Sequence, residues 1–98
     1  MVPDLLVVLD SDGTVRKVNA ALEQALGYDR TELYGQGFAR LVWPDDIMTF
    51  VRAFTAPSPA PFRLLHKGSG LVMCGLVKWQ SRHNRGFVVI RKLYEVAE

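Results

Sequence analysis

The stretch LVMCGLVKWQSR-HNRG-FVVIRKLY, residues 71–94, decides the fold of this chain. Two largely apolar runs flank His83-Asn84-Arg85-Gly86, a segment whose asparagine and glycine are typical of a tight turn. Each run alternates in the manner of a strand with two differently exposed faces. The pattern therefore predicts two long strands, over residues 71–82 and 87–94, joined as an antiparallel hairpin.

A third strand precedes this hairpin, and a second hairpin begins the chain. Residues 61–67 alternate, and the glycine-rich segment 67–70 connects them to the long strand. Near the N-terminus, Leu5–Leu9 reads as a strand, Asp12-Gly13 is a strong turn signal, and residues 14–18 return. Five strands with short connections at both ends predict an antiparallel sheet.

The middle of the chain carries helix signals. Asn19 suits an N-cap and Gly27 suits the left-handed position after a helix, so a short helix is predicted between them. Asp29 and Glu32 have the spacing of a capping box. Helices beside an antiparallel sheet give an α+β fold, with short helices and one longer helix packed on one face.

The longer helix is predicted over residues 44–54. Pro44 favours the first helical turn, and the two aspartates after it complement the positive end of the helix. Apolar residues at helical spacing then predict one buried stripe. The stripe is formed by Ile47, Phe50, Val51 and Phe54.

Length and composition limit the function classes. A chain of 98 residues with 49% hydrophobic and 22% charged residues suits one globular domain over residues 1–98. No apolar run approaches the roughly 20 residues that cross a membrane, so no membrane partner is expected. The single cysteine excludes an internal disulfide and suits a reducing cytoplasmic location.

Basic residues concentrate in the second half of the chain. Residues 63–98 carry seven basic and two acidic side chains, against an overall net charge of +2. Basic patches are one sign of nucleic-acid binding, but no aromatic–basic recognition motif accompanies this one. The interpretation preferred here is a solvated sheet face, and a nucleic-acid partner is not expected.

Several short motifs follow one another along essentially the whole chain. They are Asp10-Ser11-Asp12-Gly13, Val18-Asn19-Ala20-Ala21, Leu26-Gly27-Tyr28, Glu32-Leu33-Tyr34-Gly35, Trp43-Pro44-Asp45-Asp46 and His66-Lys67-Gly68-Ser69-Gly70. In this order they resemble the motifs of the PAS family of sensory domains. The family pattern has His-Pro-Asp-Asp where this chain has tryptophan first, and a Lys-Asp-Gly turn where this chain has a glycine–serine pair.

The resemblance implies a signal-transduction module of a larger protein, acting as a sensor or a dimerisation unit. The effector domain of that parent protein is the implied partner, most often a histidine kinase of a two-component system. The alternative is an interaction module that dimerises without ligand and has no sensory role. In either case the domain itself is predicted not to be an enzyme, and no catalytic residue is proposed.

No cofactor or metal is expected. Flavin photoreceptors of the family carry a cysteine just before the longer helix, and residues 35–40 contain none. Haem needs an axial ligand, usually histidine, and residues 44–54 contain none. His66 and His83 are better explained as a hydrogen-bonded strand residue and an exposed turn residue. Covalent flavin and haem are therefore not expected.

A noncovalent small-molecule ligand remains open, in a pocket between the longer helix and the inner sheet face. The alternative is that the same side chains fill the core. Gly75 is included because a glycine within a strand leaves room for a ligand. The candidate pocket residues are Phe38, Leu41, Phe50, Phe54, Phe62, Leu64, Met73, Gly75, Val77, Phe87 and Val89.

The other sheet face is also apolar and needs a cover, which the sheet of a second copy in a homodimer or a helix of the parent protein would supply, and a homodimer is predicted. Alternation on the two long strands places the remaining apolar residues opposite the candidate pocket, but alternation alone leaves open which of the two faces the helices cover. The candidate interface residues are Val72, Cys74, Leu76, Val88 and Ile90.

Overall fold

The predicted hairpin forms the two longest elements of the computed structural model, which describes residues 3–96. Strands β4 (Leu71–Arg82) and β5 (Arg85–Val96) each have 12 residues. The two residues between them, His83 and Asn84, have φ values of 51° and 62°. Two successive left-handed residues form the tight hairpin turn that matches the twist of its strands. The hairpin turn is thus shorter than the predicted four residues.

The other strands complete a single antiparallel sheet. They are β1 (Leu5–Asp10), β2 (Val15–Val18) and β3 (Phe62–Leu65). The strand order is β2-β1-β5-β4-β3, and every pairing is antiparallel. The first and last strands therefore lie side by side at the centre of the sheet. The predicted α+β class and five-stranded antiparallel sheet are confirmed.

Three short α-helices lie between β2 and β3. They are α1 (Ala20–Leu26), α2 (Arg30–Leu33) and α3 (Ile47–Ala53). The chain also forms 3₁₀ turns at Phe38–Leu41 and Pro44–Asp46. Because the first turn of the predicted longer helix is 3₁₀, α3 has seven residues, the same as α1.

The predicted caps are present. Asn19 accepts a hydrogen bond from the Leu22 amide at 3.1 Å, and Gly27 has a φ of 79° at the other end of α1. The Asn19 side chain also accepts from the Leu6 amide and donates to the Asp4 carbonyl, at 3.1 and 3.0 Å. One side chain thus begins α1 and anchors it to β1.

The face of the sheet that the helices cover is here termed the inner face. Its core has no buried polar or charged side chain among residues 3–96. Val51, predicted in the buried stripe of α3, is 53% exposed, so this prediction is wrong. The helix buries Phe50 and Ala53 instead, because only one narrow side of so short a helix meets the sheet.

Two irregularities interrupt the pairing of β4 with β5. One lies between Met73 and Cys74, and the other between Leu76 and Lys78. Leu76 pairs with Ile90 and Lys78 with Val89, so Val77 is an extra residue. An extra residue reverses the alternation of all side chains beyond it. Trp79 therefore points to the inner face, opposite Val88.

An ion pair joins the start of α3 to β3. The Asp46 carboxylate accepts hydrogen bonds from the Arg63 backbone amide, Nε and Nη2 at 2.8, 2.7 and 2.8 Å. The Asp46 side chain is only 13% exposed. Hydrogen bonds from Arg63 hold the pKa of Asp46 below its ordinary value, despite the opposing effect of burial.

Candidate functional site

The space between α3 and the sheet is filled by aromatic side chains. The Phe50 ring lies 5.6 Å from the Phe38 ring, 5.2 Å from Phe54 and 5.1 Å from Phe62, between ring centres. The contacts with Phe54 and Phe62 are edge-to-face, a favourable geometry for aromatic rings. These four residues were predicted to line a pocket, and in the structure they pack against one another.

Only part of the candidate pocket assembles at one place. Phe38, Leu41, Phe50, Phe62 and Leu64 are buried together on the inner face, and Phe54 packs partly buried against them. The remaining members do not face this core, so their predicted placement is wrong. They are Met73, Gly75, Val77, Phe87 and Val89. Whether any of the eleven residues contacts a ligand stays a prediction.

The candidate interface residues were also placed on the wrong face. All five contribute to the core: Val72, Cys74, Leu76, Val88 and Ile90. The reason is the strand register, which alternation does not reveal. Phe62 pairs with Cys74 and Leu64 with Val72, and paired residues of neighbouring strands share a face.

Cys74 illustrates the consequence of this burial. Its side chain is fully enclosed, and burial raises the pKa of the thiol to about 12. Lys92, which pairs with it across β4 and β5, opposes this shift. The thiolate is the reactive form of cysteine, so Cys74 is chemically inert in the folded domain and acts as a small apolar side chain.

The opposite face of the sheet, here termed the outer face, carries several exposed apolar side chains. Across β1 and β5, Leu6 pairs with Val89 and Val8 with Phe87, and Met73 pairs with Tyr94 across β4 and β5. No helix among residues 3–96 covers this surface. Exposed fractions are 44% for Leu6, 43% for Phe87, 48% for Leu93 and 56% for Tyr94.

Charges on the outer face lie mainly at its borders. Lys17 pairs with Val8 on the edge strand β2, and Lys78 lies on the part of β4 beyond the reach of β3. Arg91, on the central strand β5, has its Nε 3.2 Å from the Asp4 carboxylate. An apolar centre with a charged border is the usual anatomy of a protein interface.

A separate cleft lies where α3 ends. The Trp79 indole donates a hydrogen bond to the Phe54 carbonyl at 2.9 Å, and the two rings meet edge to face at 5.5 Å. The cleft has a volume of about 400 Å³, between the β4–β5 hairpin and the β1–β2 turn. The sequence does not indicate this cleft, because Trp79 points inward only as a result of the bulge at Val77.

The β3–β4 turn packs on the junction of α1 and α2. A side chain on Gly27 would come within 2.8 Å of the His66 imidazole, so only glycine permits this contact. His66 Nδ1 accepts from the Gly68 amide at 3.0 Å, and Lys67 Nζ lies 2.6 Å from the Glu32 carboxylate. Three of the motifs found in the sequence, those that contain Gly27, Glu32 and His66, thus meet in one contact between the β3–β4 turn and the helices.

Residues 3–96 contain no cluster of three or more His, Cys, Asp or Glu side chains suited to a metal ion. In this range, no helix is both long and apolar enough to cross a membrane.

Comparison with known proteins agrees with this architecture. The model of the family described as PAS fold matches residues 1–61. No curated protein matches the sequence.

Solved structures match nearly the whole chain. The PAS domain of the HTR-like protein from Haloarcula marismortui has 23% identity and a TM-score of 0.65, covering 93% of this chain and 82% of its own. A Colwellia psychrerythraea PAS domain has 21% identity and a TM-score of 0.70, covering 93% and 86%. A tryptophan-to-alanine variant of Drosophila melanogaster Cycle PAS-B, with bound glycerol, has 11% identity and a TM-score of 0.72, covering 92% and 98%. At these identities the likeness is one of fold.

Proposed function

This chain belongs to the PAS family, and we propose that it is a non-catalytic signal-transduction module that forms a homodimer through its outer face. PAS domains generally act in signal sensing or in interactions with other proteins. The observation that carries the proposal is the uncovered apolar surface of Leu6, Phe87, Leu93 and Tyr94. Burying such side chains is favourable by about 25 cal/mol for each Å² removed from water.

The layout of the outer face supports a second copy as its cover. Two copies stacked face to face would bury the apolar side chains and leave the edge cations Lys17 and Lys78 in water, where they need no partner. Arg91, on the central strand, would keep its ion pair with Asp4. Gly75 adds a shallow hollow, since a side chain placed there would meet only Leu93, at 3.9 Å. A side chain of the partner would fit into this hollow.

The proposed context is a cytoplasmic signalling protein. Family resemblance suggests a histidine kinase or a similar effector joined to the domain, with a change in dimer packing as the signal. The inert, reduced state of Cys74 is compatible with a reducing compartment.

Sedimentation velocity over a concentration series tests the homodimer. We expect a dimer with a Kd of about 10–100 μM, as suits a modest interface. Phe87→Lys and Tyr94→Lys should each weaken the dimer at least tenfold, because a charge would be desolvated at its centre.

Val51→Lys is the matched control, since it places the same charge on an exposed apolar residue of α3, away from the sheet. It should leave the dimer Kd unchanged. Thermal melts of dilute samples establish that all three variants are folded. A monomer at every concentration to about 1 mM, or equal effects of Val51→Lys and Phe87→Lys, would refute the proposed interface.

The second candidate function is a sensor that binds a small molecule noncovalently. The observation in its favour is the open cleft beside Trp79, whose size lies in the range of ligand sites. Native mass spectrometry, paired with a denaturing run of the same sample, tests it. A bound mass that disappears on denaturation supports a sensor, and a clean dimer mass supports the interaction module.

A further inference from the structure

We propose that the cleft at the end of α3 binds a small uncharged aromatic molecule of one or two rings that carries a hydroxyl or similar hydrogen-bonding group. The inference rests on the second candidate function, because it names the ligand class of the same cleft. This site differs from the filled space under α3, and it lies on the inner face, so it is independent of the homodimer.

The cleft exists because α3 ends before the sheet does. Leu9, Gly86 and Ser81 pair across β1, β5 and β4 and form the last inner-face row before the turns. α3 stops at Ala53, so this row has no helix above it. Gly86 and Ser81 are small, so the space above this row stays open. Leu9 and the neighbouring Val88 form its apolar floor.

Trp79 and Phe54 form a rigid aromatic wall on one side of this space. The hydrogen bond from the Trp79 indole to the Phe54 carbonyl fixes the larger ring, which is still 43% exposed. Phe54 is held in turn by its edge-to-face contact with Phe50, at 5.2 Å. A wall that is already ordered loses little conformational freedom on binding, and its ring faces and edges suit a flat aromatic ligand.

The charges at the rim favour an uncharged ligand. The Asp10 carboxylate lies 3.7 Å from the Arg16 guanidinium and 3.9 Å from that of Arg85. The carboxylate already has two cationic neighbours, so a cationic ligand gains no free partner there. The guanidinium groups of Arg16 and Arg85 are about half exposed, at 50% and 46%, so solvent screens them and an anionic ligand would lose its hydration for little attraction. The Ser81 and Ser11 hydroxyls and the Asn84 amide are neutral groups at the same cleft that can bond a ligand hydroxyl.

Binding of 2-naphthol, followed by ¹H–¹⁵N NMR, tests the proposal. The chain has two tryptophans, so Trp43→Phe leaves the Trp79 indole N–H as a single resolved reporter. We expect saturable shifts of this signal and of the Ser81 and Gly86 amides, with a Kd of about 1 mM or tighter. 2-Naphthoate and the saturated analogue decahydro-2-naphthol should each bind at least about fivefold more weakly.

Gly86→Val supplies the decisive variant. A side chain at Gly86 would meet no atom within 4 Å, and its φ is not in the left-handed region, so the variant should fold. It should reduce 2-naphthol binding at least tenfold by occupying the cleft. Gln80→Val adds the same side chain to the same hairpin, on the outer face, and should leave binding unchanged.

Three results would overturn the proposal: no saturable shift, shifts centred on Phe87 and Leu93 of the outer face, or full binding by a folded Gly86→Val chain. Melting curves show whether each variant is folded, and if Gly86→Val is not, Ser81→Leu replaces it at the same row of the cleft. The dimer Kd, measured separately, distinguishes failure of this site from failure of the homodimer.

Discussion

The inner and outer faces of the sheet are both apolar, but they differ in what covers them. On the inner face, helices and the four-phenylalanine cluster enclose residues such as Phe62 and Ile90 completely. On the outer face, Phe87 and Leu93 have similar chemistry and remain more than 40% exposed. Hydrophobicity alone therefore does not define the core of this domain. The core forms on the apolar face against which the helices of the chain pack.

The largest expected effect compares one phenylalanine from each face. Phe62→Ala should lower the free energy of unfolding by about 3–5 kcal/mol, because it opens a cavity beside Phe50. Phe87→Ala should lower it by less than about 1 kcal/mol at concentrations where the chain is monomeric. Urea unfolding measures both. Similar losses for the two variants would mean that the outer face is packed in solution.

A smaller effect is expected at the junction between the helical layer and the sheet. Asp46→Asn should cost about 1–3 kcal/mol at pH 7, because it weakens the three hydrogen bonds with Arg63. Asp45→Asn is the control, since Asp45 is exposed and, within residues 3–96, its carboxylate accepts a single hydrogen bond, from the Trp43 indole at 3.3 Å.

The same ion pair predicts how stability depends on pH. The pKa of Asp46 is lower in the folded than in the unfolded chain, so its contribution is complete above the unfolded pKa of about 4. The contribution is lost as the pH falls toward and through the folded pKa. Unfolding curves of wild type and Asp46→Asn should therefore converge below about pH 4. A constant difference across the acid range would contradict the assigned ion pair.

The smallest effect is expected on α3. Val51→Gln should change the free energy of unfolding by no more than about 0.5 kcal/mol, because Val51 is mostly exposed. Phe50→Ala, one residue earlier and buried, should cost about 3 kcal/mol or more. Comparable losses of stability for Val51→Gln and Phe50→Ala would mean that α3 buries Val51 as well as Phe50, as the sequence predicts.

Features set by neighbouring residues could be predicted from the sequence. The caps at Asn19, Gly27 and Asp29 are all formed, because each depends on a few adjacent backbone groups. The boundaries of β4 are those predicted, since turn residues on both sides limit the strand. The five strands and the pairing of β1 with β2, β3 with β4 and β4 with β5 followed from the same short-range signals, whereas the pairing of β1 with β5 joins residues far apart in the chain.

The assignment of faces on β4 and β5 could not be predicted in this way. Met73 and Cys74 are both apolar neighbours, and which one points inward depends on pairing with Phe62 and Arg63, at least ten residues earlier. The extra residue Val77 then changes the alternation again before Trp79. The cleft beside Trp79 depends on this bulge and on the end of α3 together, so no single segment indicates it.

The strand order has a consequence for how this domain is made. β1 and β5 are neighbours at the centre of the sheet, yet Leu5 and its partner Ile90 are separated by 85 residues in the chain. The ribosome therefore synthesises Ile90 long after Leu5. While the ribosome is still adding β5, the β1–β2 hairpin and the β3–β4 pair have no strand between them. Long-range pairing of this kind slows folding, and the unpaired edges are exposed until it occurs. The domain should therefore be most dependent on chaperones just before its last strand emerges.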